Sequence, residues 1–159
     1  MTDTLTKERR SWTMSRIRSK DTKPELLVRK YLFSRGLRFR VNVGRLPGHP
    51  DIILTKYNAL IEVRGCFWHR HGWEPDGRKI VQRAFCPYAT TPKSNRAFWN
   101  AKFRRNVLRD AEHERVWAEE GWNVIVVWEC GLKTAAEREK TLRFVLRHLE
   151  KWAESVASH

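Results

Sequence analysis

The chain has 159 residues and a formal net charge of +14, from 32 Lys+Arg against 18 Asp+Glu, with a pI near 10.3. It has no apolar run near the roughly 20 residues of a membrane span and no signal-peptide pattern, so we expect a cytoplasmic protein without a membrane partner. Its length suits one domain around one core. The excess of positive charge favours a nucleic-acid partner over a merely basic soluble protein, because binding releases counterions from the polyanion.

The first predicted elements are a basic arm and a helix. Residues 1–20 are polar and are interpreted as an arm with a short helical turn; its basic residues include Arg9, Arg10, Arg16, Arg18 and Lys20. A helix is predicted to begin near Thr22, which forms a capping-box pattern with Glu25, and to end at Gly36. Its apolar stripe is expected to comprise Leu26, Leu27, Tyr31 and Leu32.

Three short strands are predicted next. Residues 37–43 alternate apolar and basic side chains and predict the first strand. The second begins at Asp51 with the apolar residues 52–54, and the third covers residues 59–65 after a turn at Tyr57 and Asn58. Residues 66–94 show no clear periodicity and contain two Pro-bearing turns, so we interpret them as a metal-ordered loop with a surface excursion at residues 74–78.

The C-terminal half predicts helix, strand and helix. A long helix is expected over residues 95–120, with a buried side formed by Phe98, Phe103, Val107, Leu108 and Trp117. Residues 122–128 are the strongest strand signal in the chain. A second capping box at Thr134 and Glu137 predicts a helix to about residue 152. We therefore expect one α/β domain over residues 21–159, a mixed sheet flanked by helices.

Two acidic residues and a cation are expected to meet at one edge of the predicted sheet. Asp51 opens one strand, and Glu62 and Arg64 share a face of the next, because side chains alternate along a strand. Two carboxylates can hold a hard Mg²⁺ ion while a cation neutralises charge developing on a phosphate, which is the chemistry of a phosphodiester hydrolase. Asp51 could instead be a turn residue after Pro50. The adjacent His69 favours catalysis, since the pKa of imidazole lies near working pH.

The three cysteines favour a metal site over disulfide bonds. Their number is odd, and we expect a reducing compartment. With one histidine they form a sufficient set of ligands for structural zinc: Cys66, His71, Cys86 and Cys130. The spacing also allows His69 in place of His71, and the alternative to a metal site is three unrelated buried thiols.

Several motifs of the chain occur together in one known family. They are Met14 in the arm, Asp21 and Thr22 with Glu25, residues 46–51, residues 65–71, Phe98-Trp99, Asn106-Val107 with Arg109-Asp110, and residues 128–130. Over nearly its whole length the chain resembles the very-short-patch repair endonucleases (Vsr), which nick DNA beside a T·G mismatch. The resemblance implies a restriction-endonuclease-like fold, a structural Zn²⁺ and a Mg²⁺-dependent strand nick.

The resemblance also implies a role for individual residues. In the expected catalytic site, Asp51 and the backbone carbonyl of Val63 bind Mg²⁺, His69 is the general base, and Glu25 holds a water molecule that is bound to the metal. Zn²⁺ is bound by Cys66, His71, Cys86 and Cys130. Three aromatic side chains, Phe67, Trp68 and Trp99, insert between base pairs, and Met14 enters from the opposite groove. For Glu25, a purely structural role in the capping box is the alternative. For the aromatic residues, the alternative is packing in the core.

The chain departs from the usual pattern of the family at two positions of the expected active site. Typical members carry an apolar residue at the position of Glu62 and a His or Asp at that of Arg64. The segment here is closer to the Pro-Asp … Asp/Glu-x-Lys signature of the wider restriction-nuclease superfamily. We hypothesise that Glu62 is a direct Mg²⁺ ligand and that Arg64 steadies the scissile phosphate. The segment between His71 and Cys86 is also longer than the family predicts.

Duplex DNA with a T·G mismatch is the expected substrate. The arm is expected to contact phosphates through Arg16, Arg18 and Lys20, which gives affinity and position but no sequence specificity. The alternative is that the arm is only a solvated tail, as such basic arms usually are. We expect a nucleoid-associated monomer, and the resemblance adds mismatch-repair proteins and cytosine methyltransferases as associates. The alternatives are a restriction-type or junction-cleaving nuclease of the same fold, and a catalytically inert zinc-bearing DNA-binding module.

Overall fold

A small mixed sheet lies at the centre of the protein, between helices. The computed structural model describes residues 6–158. In chain order the helices and strands are α1 (Lys7–Ser15), α2 (Lys23–Ser34), β1 (Ile52–Leu54), β2 (Ala59–Arg64), α3 (Cys66–His69), β3 (Trp73–Asp76), β4 (Lys79–Gln82), α4 (Arg96–Glu119), β5 (Asn123–Trp128) and α5 (Ala135–Ala157). The sheet has the order β1-β2-β5, and β3 pairs with β4 in a separate hairpin.

The strand β2 forms the middle of this sheet. It pairs antiparallel with β1, where Ile53 lies opposite Leu60, and parallel with β5, where Leu60 lies opposite Val124. Parallel strands need a long crossover connection, and the 24-residue helix α4 lies within it. The predicted mixed sheet flanked by helices is confirmed.

Alternation along β2 divides the core into two sides. Ile61 belongs to a cluster that includes Leu32 of α2 and Val145 of α5. Leu60 belongs to a separate cluster with Trp117 of α4. Because consecutive side chains of a strand point to opposite faces, α2 and α5 cover one face of the sheet and α4 covers the other.

Trp117 fixes α4 against its face of the sheet. Its side chain is fully buried, and its Nε1 donates a 2.9 Å hydrogen bond to the backbone carbonyl of Pro47. Glu62 and Arg64 follow Leu60 at intervals of two residues, so they lie on the face that α4 covers. The polar end of β2 is therefore placed under a helix, apart from the larger apolar cluster.

Both predicted capping boxes are present. The Thr22 hydroxyl accepts a 3.4 Å hydrogen bond from the backbone N–H of Glu25, and the Thr134 hydroxyl accepts one of 3.2 Å from Glu137. The helix α5 continues past its predicted end to Ala157. No helix of the described residues is long and apolar enough to cross a membrane.

The basic arm contains a regular helix. α1 spans nine residues, more than the short turn expected, and none of them is buried. Thr6 caps this helix by accepting a 3.3 Å hydrogen bond from the backbone N–H of Arg9. Residues 1–5 of the predicted arm lie outside the described residues.

The strand predicted over residues 37–43 is wrong. Arg40 alone pairs with the sheet, through two backbone hydrogen bonds of 2.8 and 2.9 Å to Ile53. β1 has three residues, all in register with β2, and Ile53 is the middle one. Because alternate residues of an antiparallel strand direct their backbone groups to opposite sides, only Ile53 offers its N–H and C=O to a further segment.

The interpretation of residues 66–94 as a loop is wrong in part. The short helix α3 and the β3–β4 hairpin lie within it, and the hairpin occupies the predicted surface excursion. Gly77 has a φ of +59° in the hairpin turn, a conformation that glycine adopts without steric cost. The strand β3 was not predicted from the sequence because it contains Pro75, and proline is rare inside paired strands.

Two side chains expected to be buried are exposed. Leu26 of α2 is 49% exposed, and Phe98 of α4 is 48% exposed. Val28 and Leu32 take the inward positions of α2. Leu27 and Tyr31 pack partly buried against the same cluster, so the apolar stripe of α2 contains Val28 in place of the predicted Leu26.

We expect Leu32→Ala to lower the free energy of unfolding by about 2–5 kcal/mol, because it leaves a cavity where a fully buried side chain packs. Leu26→Ala in the same helix is the matched control, and we expect it to cost less than about 1 kcal/mol. Urea unfolding followed by circular dichroism measures both values. Equal losses for the two variants would contradict the orientation of α2.

Candidate active site and metal centre

A cleft of about 1040 Å³ contains most of the predicted site residues. The ionisable candidates that line it are Glu25, Asp51, Glu62, Arg64 and His69. It is also lined by Met14, Arg18, Lys20, Trp68 and Trp99, which were assigned to DNA contacts, and by Val63. Phe67 and Arg16 are outside this lining. The fold thus brings together residues that are far apart in the sequence.

Asp51 is held against the end of β2. Its Oδ2 accepts a 2.7 Å hydrogen bond from the backbone N–H of Val63. Burial raises the pKa of Asp51 to about 6; the hydrogen bond from Val63 opposes this rise, and the negative charge of Glu25 adds to it. The position of Asp51 is fixed by its hydrogen bond to the backbone. The positive charges near its carboxylate do not offset the effect of burial on its pKa.

Glu62 shares this electrostatic environment. Burial, and after it the negative charge of Asp51, raises the pKa of Glu62 to about 8, although the charge of Arg64 opposes the rise. A divalent cation between two buried carboxylates stabilises the ionised form of both. Asp51 and Glu62 therefore fit a divalent metal ion, with oxygen ligands of the kind that Mg²⁺ prefers.

Arg64 bridges two acidic residues beneath α4. It is 5% exposed, its Nη1 donates a 2.6 Å hydrogen bond to Glu114, and its Nε lies 3.6 Å from an oxygen of Glu62. Its Nη2 has no hydrogen-bond partner among residues 6–158. Glu114 was not anticipated from the sequence, since nothing in the order of residues shows which α4 side chain lies over the end of β2.

His69 is oriented by an aspartate of α4. Its Nδ1 lies 2.6 Å from Oδ2 of Asp110, so an Nδ1–H donated to this carboxylate leaves Nε2 as a proton acceptor. Asp110 is buried, which opposes ionisation, but the hydrogen bond and charge of His69, with the charges of Arg64 and Arg109, lower its pKa overall. The pair is arranged as a general base with a fixed tautomer.

Asp110 had no assigned role in the sequence prediction. The signal that identifies it is its place on the inward face of α4. The buried residues of this helix are Phe103 and the residues four, seven and fourteen positions after it, which are Val107, Asp110 and Trp117. An aspartate inside a buried stripe requires a polar partner, because an unpaired buried carboxylate is unstable.

Glu25 combines a structural position with access to the cleft. Oε1 accepts a 3.0 Å hydrogen bond from the Thr22 hydroxyl, and Oε2 accepts one of 2.9 Å from the backbone N–H of Asp21 and one of 3.3 Å from Arg29. Its role in the capping box is therefore present. Since Glu25 also lines the cleft and influences the pKa of Asp51, the structural role does not exclude a second one.

The predicted aromatic residues form one cluster. Phe67 packs edge-to-face on Trp68, Trp99 and Phe103, with ring centroids 5.0, 5.5 and 5.3 Å apart. Trp68 and Trp99 line the cleft, while Phe67 contacts the buried Phe103 behind them. Phe98 also lines the cleft and is exposed, so this residue was wrongly assigned to the core.

The basic residues of the arm differ in position. Arg18 and Lys20 line the cleft beside Met14, which is 42% exposed. The guanidinium of Arg16 lies 4.0 Å from the ring centroid of Trp12. Positive side chains and an exposed apolar side chain of the arm thus border the same cleft as the aromatic cluster.

Three thiols and one imidazole converge where β2 and β5 end. The ligand atoms of Cys66, His71, Cys86 and Cys130 all lie within 4.8 Å of one another. Nδ1 of His71 lies 3.2 Å from Sγ of Cys130 and 3.9 Å from Sγ of Cys66. His71, and not His69, belongs to this cluster. The donor set fits a tetrahedral metal ion of the zinc type.

The imidazole of His71 is prepared for this role by its surroundings. Burial lowers the pKa of His71, which favours the neutral ring that a metal binds. The ring stacks on Trp128 with centroids 4.3 Å apart. Since Cys66 opens α3 and His71 follows it closely, the cluster also fixes the short helix that carries His69, Phe67 and Trp68.

Comparison with known proteins gives a consistent result. The family model described as DNA mismatch endonuclease Vsr matches residues 2–75. The type II nicking enzymes V.NmeAIP of Neisseria meningitidis and V.XorIIP of Xanthomonas oryzae are each 41% identical, over 94% and 92% of this chain and 98% of each relative. The DNA mismatch endonuclease Vsr of Escherichia coli is 35% identical over 96% of this chain and 88% of its own length. The predicted family and the predicted DNA endonuclease are confirmed: the chain belongs to the Vsr family of DNA mismatch endonucleases.

Proposed function

We propose that the protein is a Mg²⁺-dependent mismatch endonuclease with a restriction-endonuclease-like fold. It nicks one DNA strand beside a T·G mismatch, leaves a 5′-phosphate and a 3′-hydroxyl, and so initiates very-short-patch repair. The observation that carries this proposal is the cleft in which two partly buried carboxylates, Asp51 and Glu62, lie with the pair formed by His69 and Asp110. The names of the relatives support the action on mismatched DNA.

Asp51, Glu62 and the backbone carbonyl of Val63 would hold the Mg²⁺ ion. Bound there, the ion supplies positive charge for the phosphate as the bond to its leaving oxygen breaks. The hydrogen bond from Val63 N–H to Asp51 keeps one carboxylate oxygen fixed and leaves the other for the metal. Glu25 lies outside the direct ligands and binds water at the edge of the site.

His69 accepts the proton of the attacking water at Nε2. The oxygen of this water forms the new bond to phosphorus, and the 3′ oxygen of the preceding nucleotide leaves and takes up a proton from solvent water to give the 3′-hydroxyl. Asp110 positions the imidazole and stabilises its protonated form. Arg64 holds Glu62 in place and is the cation whose charge steadies the scissile phosphate.

Mismatch selection is assigned to the aromatic cluster. Trp68 and Trp99, supported by Phe67 and extended by Phe98, insert at the base step, while Met14 enters from the opposite groove. Unstacking costs a few kcal/mol and costs least where pairing is already poor, as at a T·G wobble. This cost difference favours the mismatch over matched DNA.

The remaining charges and the second metal organise the complex. Cys66, His71, Cys86 and Cys130 bind structural Zn²⁺ and carry no chemistry. Arg16, Arg18 and Lys20 in the arm of residues 1–20 contact phosphates next to the catalytic domain of residues 21–159. The enzyme acts as a nucleoid-associated cytoplasmic monomer and cooperates with mismatch-repair proteins.

An assay with end-labelled duplexes tests the proposal. We expect a nick in one strand with T·G, much slower cleavage of matched duplex, and no cleavage when Mg²⁺ is omitted. Denaturing gels map the cut. Cleavage of both strands of matched duplex would favour a restriction-type nuclease, and cleavage centred on four-way junctions a junction-cleaving one. Binding without any cleavage would identify a non-catalytic module.

Glu62 and Asp110 are expected to act on different kinetic quantities. Glu62→Ala removes a direct ligand and raises the Mg²⁺ concentration for half-maximal nicking by more than about tenfold. Asp110→Asn leaves this concentration nearly unchanged but lowers kcat by about 10²–10⁴-fold, because the base loses its orientation. Glu112→Gln, an exposed acid of α4, is the control for both. Undiminished activity in Glu62→Ala would dismiss that residue as a ligand.

The structural metal is tested by its content. We expect about one equivalent of zinc in dialysed protein, and less than about half an equivalent in His71→Gln together with lower stability. His148→Gln, a histidine of α5 outside the cluster, should retain the metal. Atomic emission measures zinc, and wild-type protein without it would contradict the assignment.

A further inference from the structure

A second cavity, of about 510 Å³, lies between the β3–β4 hairpin and the first turns of α4. We call it the hairpin pocket. Three basic residues line it, Arg70, Lys79 and Arg104, together with Trp73 and Asn100. Among the described residues, no acidic side chain belongs to its lining. The proposed chemistry uses none of these residues.

Arg70 is a buried cation without a counter-charge. It is 2% exposed, its Nη1 donates a 2.8 Å hydrogen bond to the carbonyl of Thr90, and its Nη2 donates one of 3.0 Å to the Thr91 hydroxyl. Both acceptors are neutral. Its Nε has no hydrogen-bond partner, and within residues 6–158 no carboxylate pairs with it.

The surroundings of Arg70 stabilise the cation only in part. Its guanidinium carbon lies 4.2 Å from the ring centroid of Phe103 and 5.0 Å from that of Trp73. Burial still lowers the pKa of Arg70. An isolated buried charge is expensive, and an anion in the adjoining pocket would offset that cost.

Two further features of the pocket favour an anion. Trp73 Nε1 is a buried donor without a partner in the described structure. The helix α4 begins at the pocket with Asn95 making no side-chain cap and with no acidic residue in its first turn. Its free N–H groups and helix dipole therefore place partial positive charge beside the three basic side chains.

The hairpin pocket is separate from the cleft. Four of its five α4 residues, Ala97, Asn100, Ala101 and Arg104, recur at i, i+3, i+4 and i+7 and so form one face of the helix; the fifth is the buried Phe103. The residues that α4 gives to the cleft, such as Phe98, Lys102 and Arg109, lie on another face. The hairpin itself fills the segment between His71 and Cys86 that is longer than the family predicts.

We propose that the hairpin pocket binds a phosphodiester group of the DNA substrate at a distance from the cut. The proposal rests on the proposed function for the identity of the DNA. Three cations, the unpartnered Trp73 Nε1 and the start of α4 all match a phosphate in charge and hydrogen-bonding capacity. The contact adds affinity and fixes register on the duplex without reading its sequence.

The test compares two double variants at exposed positions. Lys79→Ser with Arg104→Ser removes the outer charge of the pocket, and Arg78→Ser with Arg105→Ser removes two charges from the same hairpin and helix outside it. Binding of T·G duplex is measured by fluorescence anisotropy between 50 and 200 mM NaCl, without added divalent metal. We expect the pocket variant to lose about one unit of slope in log Kd against log[salt] relative to the control.

Neutral methylphosphonate linkages, placed one at a time in the duplex, locate the phosphate. One substitution away from the scissile bond should weaken binding of the wild type and of the control variant but not of the pocket variant. Equal slopes for the two double variants, or no such linkage, would overturn the proposal. Arg70→Met, checked by circular dichroism, repeats the comparison at the buried cation.

Inorganic phosphate distinguishes the source of the anion. If phosphate raises the Tm of the wild type but not of the pocket variant while the DNA slopes are equal, the pocket binds a free anion, which overturns the DNA occupant. The nicking assay is independent of this result. If the wild type does not nick T·G duplex, the proposed function is contradicted. A difference in salt-dependence slope between the two double variants would still support the pocket as a DNA contact.

Discussion

The whole site depends on alternation along one central strand. β2 is hydrogen-bonded on both sides, so its side chains have only two directions available. One direction packs into the apolar cluster with α2 and α5, and the other meets α4. Leu60 and Trp117 set this second contact, and Glu62 and Arg64 continue it beyond the apolar part of the strand. A register slip of one residue would place both charges in the larger apolar cluster.

The electrostatics of the site follow from that placement. The helix α4 meets the end of β2 with Asp110 and Glu114, so acidic groups of two elements surround Arg64. Burial is the main cause of the raised pKa values of Asp51 and Glu62, and at Glu62 the charge of Arg64 offsets it only in part. A divalent ion is therefore the natural complement of the cleft. In the hairpin pocket the imbalance has the opposite sign, and its complement is an anion.

The sequence predicted the parts of the fold that local rules control. Capping at Thr22 and Thr134 defined two helices, and the apolar run of β5 defined its strand. Failures arose where tertiary contacts decide. Arg40 pairs alone because β1 offers one residue, and Phe98 turns outward although its helix is amphipathic. In the site, motifs identified His69 and the Cys/His cluster. Helical spacing places Asp110 on the inward face of α4, but its pairing with His69, and the contact of Glu114 with Arg64, depend on how α4 packs on the sheet.

The spacing of the Cys/His cluster divides residues 66–86 into a rigid part and a part of variable length. Four residues separate Cys66 from His71, and these include His69 and two aromatic side chains. Fourteen separate His71 from Cys86, and these include the hairpin. Length changes in the first part would displace the reacting groups, whereas the second part is anchored at both ends and free to grow. The set of DNA contacts made by the hairpin can thus differ between relatives, or be changed by grafting a different hairpin, without altering the residues of the catalytic site.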